Sequence, residues 1–402
     1  MDEREQLLSS QVSNGALPKA QRQGMGLSFS GGGFRASLFH LGALRRLNEL
    51  GILQQIDTFS SVSGGSIISA FLATKLQFPL TGPVHDWESL ISKPFRDFCA
   101  RNIRRKPILV GLLPWKSNSG VLAEQYETLL TFGKLISQLP STKPLFVFCS
   151  TDLAYGVNWI FTRPKSGDYQ AGYLSPTPAD WKISTAVAAS SCFPPVFKPI
   201  DLHLDPKKLT GGKANGPDRD RIVRGLTLSD GGVYDNLGLE PIWKTHKTVL
   251  SSDGGALFDF RADKNFIGQV KRYFAIPEDQ ALALRKRWLI SSFENGSMDG
   301  AFWGIGSARE SYKVSDGYSK KLATEVIGCI RTDLDAFSEA EAAVLENHGY
   351  WLADAGVSVH LPSPLKPSPY PALRIPHPKW KDEQIVREAL KDSWKRTALG
   401  RG

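Results

Sequence analysis

Cysteine is scarce. The 402-residue chain has four, Cys99, Cys149, Cys192 and Cys329, and no two form a C-x-x-C pair. That argues against a disulfide framework or a cysteine-built metal site, and for buried free thiols in a reducing compartment. Long apolar runs are missing too: none approaches the ~20 residues that a bilayer-spanning helix needs. The opening residues, Met1-Asp2-Glu3-Arg4-Glu5, lack the basic and then apolar order of a secretory leader, so a cytoplasmic location is expected. No internal repeat is present.

What stands in excess is positive charge. The formal net charge is +9 and the isoelectric point is about 9.2. A basic chain is drawn to nucleic acid or to anionic lipid, and simple solubility gives the same balance. A hydrophobic content of 41% is that of a globular protein with a large core.

Residues 1–23 are polar and read as a flexible tail. Residues 24–357 alternate extended and helical patterns, which predicts an α/β fold. Within them, Phe146-Val147-Phe148 and Asn158–Thr162 read as strands, 180–191 as a helix, and 201–224 as a polar surface excursion. A helix over Leu237–Lys244 and a strand over Thr248–Ser252 follow, and 262–357 reads as mainly helical. Ser338 with Glu341 makes a capping box for a helix through Tyr350. Residues 358–402 form a proline-rich, basic extension that ends in an amphipathic segment, Lys381–Arg396. There Ile385, Val386, Ala389 and Leu390 share one face.

Three motifs carry chemistry. The first is Gly31-Gly32-Gly33-Phe34-Arg35, between a short strand and a helix whose Leu38, Leu41, Leu44 and Leu47 recur at helical spacing. Glycines leave backbone N–H groups unshielded, and a helix start presents unpaired donors, so an anion or oxyanion is received there. The second is Ser61-Val62-Ser63-Gly64-Gly65, where an extended run turns into an apolar helix. This is the layout of a nucleophile elbow, with serine for the usual first glycine. The third is Asp230-Gly231-Gly232 at a strand end, whose carboxylate could accept a proton from Ser63.

In this order the three motifs resemble those of the patatin-like phospholipase family. Ser150-Thr151-Asp152-Leu153, Ala189–Pro195 and His348-Gly349-Tyr350 are weaker echoes, so the resemblance covers roughly 24–357. It implies a three-layer α/β/α sandwich around a central, mainly parallel sheet. It also implies lipid acyl hydrolysis through a Ser63–Asp230 dyad, in which the aspartate acts directly, and an oxyanion hole at Gly31, Gly32 and Gly33. Arg35, Gly64, Gly65, Gly231 and Gly232 would position substrate or loops. No metal or cofactor is required. The implied substrate is a phospholipid or lysophospholipid, and no nucleic-acid partner is expected.

Two histidines and a second D-G-G stand near these motifs. His246 reads as a surface residue and His40 as a packing residue or surface donor. Asp253-Gly254-Gly255 reads as a turn after the next strand. The glycine loop also fits G-x-G-x-x-A, but the following strand ends in Ser63 rather than in the acid a dinucleotide site wants. Arg101, Arg104, Arg105 and Lys106 before Pro107–Trp115 would suit peripheral contact with an anionic membrane, or a buried segment with a solvated neighbour. Two other classes stay open: a ligand-gated or partner-gated lipase effector or regulator, and a catalytically silent lipid-binding protein on the same fold.

Overall fold

The computed structural model describes residues 17, 19–111, 117–258, 266–397 and 399–401. Ten strands form one mixed sheet. They are β1 (Met25–Phe29), β2 (Thr58–Val62), β3 (Leu145–Asp152), β4 (Val157–Phe161), β5 (Ser166–Asp168), β6 (Gly172–Leu174), β7 (Ile200–Leu202), β8 (Leu226–Asp230), β9 (Thr248–Asp253) and β10 (Asp299–Gly304). Strands β10, β9, β1, β2 and β3 lie side by side and parallel. An antiparallel wing, β4, β5 and β6, extends beyond β3.

The principal helices are α1 (Gly33–Glu49), α2 (Gly64–Lys75), α3 (Ile183–Ser191), α4 (Phe266–Glu294), α5 (Glu339–His360) and α6 (Glu383–Leu390). Strands β1 and β2 are buried along their whole length, as parallel strands covered on both faces must be. On one face Phe59 stacks between Phe29 and Phe146, with ring centroids 6.2 and 5.0 Å apart. Serines in the same strands are paired. Ser28 bonds Ser251 (2.9 Å), and Ser60 donates to the Gly238 carbonyl (2.6 Å).

Helices α1 and α5 cross backbone to backbone. A Cβ on Gly42 would stand 1.8 Å from the Glu346 carbonyl oxygen, and one on Gly349 would stand 1.8 Å from that of Phe39. Neither neighbour is a side chain that could rotate away. Gly349→Ala is therefore expected to force the helices apart and to lower stability by about 2 kcal/mol or more, read from urea denaturation.

Several readings need correction. Leu237–Lys244 is a run of turns rather than a helix: Gly238 has φ 66° and Pro241 follows it. Residues 266–357 are mainly helical, as read, with strand β10 among them, and β7 opens the 201–224 excursion. In α6, Val386 and Leu390 are buried, but Ile385 faces solvent.

Beyond α5 the chain is bonded to the helices beneath it. Arg46 donates to the Pro371 carbonyl (2.6 Å), and Asn347 and His377 exchange two bonds of 2.9 Å. Tyr318 donates to the Trp380 carbonyl (2.6 Å). Among the described residues no helix is long and apolar enough to cross a membrane. Of the basic and apolar stretch, Arg105–Val110 is a short helix, Leu109 is exposed, and Arg104 pairs with Asp333 (3.0 Å). Leu112–Trp115 and residues 1–16 lie outside the described residues.

Candidate active site

Ser63 joins β2 to α2 at φ 48° and ψ −113°. An L-residue held there is strained, and such strain persists only where the surroundings enforce it. The following glycines provide the enforcement. A Cβ on Gly64 would come 2.3 Å from the Gly33 carbonyl oxygen, and one on Gly65 would come 2.5 Å from that of Phe29. The elbow thus rests directly on the glycine loop. Gly65 also donates its N–H to the Ser30 carbonyl (3.1 Å). Ser61, the departure from glycine, is accommodated: its hydroxyl donates to the Val147 carbonyl (3.1 Å) and accepts from Ser66 (3.2 Å).

The three loop glycines are not equivalent. Gly31 already donates its N–H to the Asn236 carbonyl (3.0 Å), and Phe34 donates to Asp333 (2.9 Å). Between them, Gly32 (φ 136°) and Gly33 (φ 57°) have N–H groups with no partner among the described residues. Of the three expected oxyanion donors, these two are unengaged.

Asp230 reaches Ser63 by a route that differs from the expected one. A strand has two edges. One edge of β3 bonds β4 over 148–152; the other bonds β2 over 145–149 and then β8 over 150–152. So β2 and β8 occupy the same lane and run head to head. Val62 lies opposite Cys149 and Asp230 opposite Ser150, which brings Ser63 and Asp230 to the meeting point. Strand β8 is antiparallel to β3, so the carboxylate arrives from the opposite direction to the parallel strands.

The Asp230 side chain is buried, and burial pushes its pKa up to about 7. The Gly232 N–H, 2.8 Å from one carboxyl oxygen, and a hydrogen bond from the Ser63 side chain pull in the other direction. The result is a carboxyl poised between its two forms near neutral pH, as a general base should be.

Ser190, in α3, links both halves, and the motifs gave it no role. Its hydroxyl accepts the Ser63 N–H (2.9 Å) and bonds Ser66 (2.8 Å), while its carbonyl accepts the Gly231 N–H (3.3 Å). The only sequence signal was its place in Ala189–Pro195.

Arg35 is buried and meets backbone carbonyls. It donates to Gly254 (3.1 and 3.2 Å), Ile330 (2.8 Å) and Gly328 (3.3 Å). Burial lowers its pKa to about 10. It ties the glycine loop to two distant segments and does not face a lipid phosphate. His40 is also buried, between the Ser30 carbonyl (3.0 Å) and the Ser252 hydroxyl (2.8 Å), and burial holds its pKa near 4. It is a packing residue rather than a surface donor. His246 bonds Thr58 (3.0 Å) and the Ile242 carbonyl (3.1 Å) at the far end of β2. Asp253 accepts the Gly255 N–H (2.9 Å) and pairs with Lys286 (2.5 Å). Burial is the largest influence and raises its pKa, but the Lys286 charge and hydrogen bond together with the Gly255 N–H outweigh it and lower the pKa. Among the described residues no group of three or more His, Cys, Asp or Glu could hold a metal ion.

No curated protein matches the chain. Among solved structures, human GIVD cytosolic phospholipase A2 is similar at a TM-score of 0.46 and 11% identity, over 98% of this chain and 67% of that one. The same enzyme in complex with methyl gamma-linolenyl fluorophosphonate and terbium chloride gives 0.38 and 18%, over 65% of this chain and 44% of that one. VipD from Legionella pneumophila gives 0.36 and 14%, over 86% and 68%. The sequence profile of patatin-like phospholipases matches residues 27–243, a span that holds the glycine loop, the elbow and the Asp230 turn. With more than half of its length matched, the chain belongs to the patatin-like phospholipase family.

Proposed function

We propose that this protein hydrolyses acyl esters of phospholipids or lysophospholipids through a Ser63–Asp230 dyad. The observation that carries the reading is the head-to-head meeting of β2 and β8. It sets a strained serine against a buried carboxyl, beside two unengaged glycine amides.

Ser63 Oγ attacks the ester carbonyl carbon while Asp230 takes the hydroxyl proton. The carbonyl oxygen becomes an oxyanion, which the N–H groups of Gly32 and Gly33 stabilise. When the intermediate collapses, the C–O bond to the alcohol breaks and Asp230 returns the proton to the leaving oxygen. Water, deprotonated by Asp230, then attacks the acyl carbon; the C–Oγ bond breaks, Asp230 returns the proton to Ser63 Oγ, and the fatty acid is released. Ser190 holds the elbow N–H and the Gly231 turn together, which fixes the distance between nucleophile and base. Arg35 holds the glycine loop.

A fluorophosphonate probe tests the reading cheaply, because only an activated serine is phosphonylated. The expected result is one covalent adduct, located at Ser63 by peptide mass, with fatty acid released from mixed phospholipid and lysophospholipid vesicles. An unlabelled protein would be a binding protein on this fold, and the proposal would fall.

A further inference from the structure

Helix α4 is apolar on two sides, one packed on the core and one facing solvent. Its inner side carries charge toward the candidate active site. Arg285 pairs with Asp235 (3.3 Å) and lies over the Tyr234 ring (5.3 Å), and Lys286 pairs with Asp253 (2.5 Å). Glu278 is close enough to Asp230 for its charge to raise that carboxyl's pKa. Leu282, Leu289 and Phe293 pack against Leu237, Ile242, Val249 and Met298. The helix therefore lies beside the dyad and is fastened there by ion pairs.

Its outer side is apolar. Tyr273 is 69% exposed, Leu284 60%, Ile276 43% and Trp288 40%. At about 100° per residue, these four fall within a roughly 120° arc. From Tyr273 to Ser291 the exposed positions on that arc include Gln280 and one charged residue, Arg287. An exposed apolar stripe of this kind, crossed by Gln280 and Arg287, on a water-facing helix marks an interaction site.

Resting on the proposed lipid substrate, we infer that this face of α4 docks on an anionic phospholipid surface. Three observations favour a bilayer over a protein partner. The face belongs to the helix whose other side holds Asp235 and Asp253 through Arg285 and Lys286, so whatever seats on it lies one helix away from the candidate site. Its composition is that of a membrane–water boundary: leucine and isoleucine with tyrosine and tryptophan, and Trp288 lies edge-on to Trp243 at 4.7 Å. The charge is complementary: Arg287, on the face itself, is exposed, and the whole chain carries +9. An in-plane helix with apolar residues inward and basic residues at its margin binds anionic lipid through both terms.

Co-sedimentation with phosphatidylserine-containing vesicles and with pure phosphatidylcholine vesicles tests this. The wild type is expected to bind the anionic vesicles more tightly and to lose the difference in high salt. Ile276→Glu with Leu284→Glu is expected to weaken vesicle binding about tenfold or more. Hydrolysis of a soluble short-chain ester and the melting temperature should stay unchanged, which shows that the variant folds. Arg287→Glu should remove most of the preference for anionic vesicles. Unchanged vesicle binding in the double variant overturns the inference, as does loss of self-association or of a protein contact in its place. The wild type separates the two readings: vesicle binding by a wild-type protein that shows no esterase activity keeps the docking face and removes the proposed function, whereas Ser63→Ala should bind vesicles as the wild type does.

Discussion

Asp230→Asn is expected to lower kcat/KM for ester hydrolysis by about 10⁴-fold. Asparagine keeps the size of the side chain, and its carbonyl oxygen can still accept the Gly232 N–H (2.8 Å). It cannot take the Ser63 proton. The imidazole of His40 cannot substitute, because both ring nitrogens are engaged inside the core. The proposed dyad requires Asp230 to be ionised in the wild type. Activity should therefore rise with pH to a plateau above about 7 and be lost with unit slope as pH falls below that value. Stability runs the other way. The folded pKa, about 7, exceeds the ordinary 3.8, so the native state binds more protons than the unfolded chain between these values. The stability linked to this group is fully present below 3.8 and is lost as pH rises through the folded pKa. Asp230→Asn should thus melt higher than the wild type above neutral pH, and the difference should shrink in acid. A variant that kept its activity, or a flat pH profile, would remove Asp230 from the base role.

The sequence revealed this site unevenly, for physical reasons. Gly31–Gly33, Ser63 and Asp230 could be found because each sits where only one residue type or chemistry fits: a close backbone approach, a strained turn, a strand-end acid. The contacts between them could not be found locally. Arg35 meets carbonyls 219 and 295 positions away, and Ser190 meets the Ser63 amide 127 positions away. A single chain carries no local signal for either. The parallel core followed from alternating elements, but the direction of β8 depends on β7 and the excursion folding it back onto β3. Strand β10, Asp-Gly-Ala-Phe-Trp-Gly, is short, glycine-flanked and without alternation, so it was absorbed into a helical stretch. Periodicity can show that a helix such as α4 has an apolar stripe. It cannot show which side the rest of the protein takes, because that depends on Asp235 and Asp253 waiting elsewhere in the fold.

Ser63→Gly should lose activity as fully as Ser63→Ala and yet be the more stable of the two. Without the hydroxyl there is no acyl-enzyme, and hydrolysis should fall by about 10⁵-fold or more, with a residue left to the oxyanion donors and substrate binding. Ser63→Ala should be equally inactive, so activity alone does not separate the two. Stability does. At φ 48° and ψ −113° serine and alanine both hold a Cβ in a disfavoured region, at about 1–3 kcal/mol. Glycine has no such penalty, although its freer unfolded chain takes back about 1 kcal/mol. Both variants lose the bond to Asp230 alike. The glycine protein should therefore be more stable than the alanine protein by about 1 kcal/mol, measured by urea denaturation at fixed pH. Glycine is ordinarily the less stable of the pair, so a reversed order at this one position would report strain stored in the elbow. The ordinary order would mean that the turn relaxes freely, and that Ser63 is not held in a geometry its surroundings enforce.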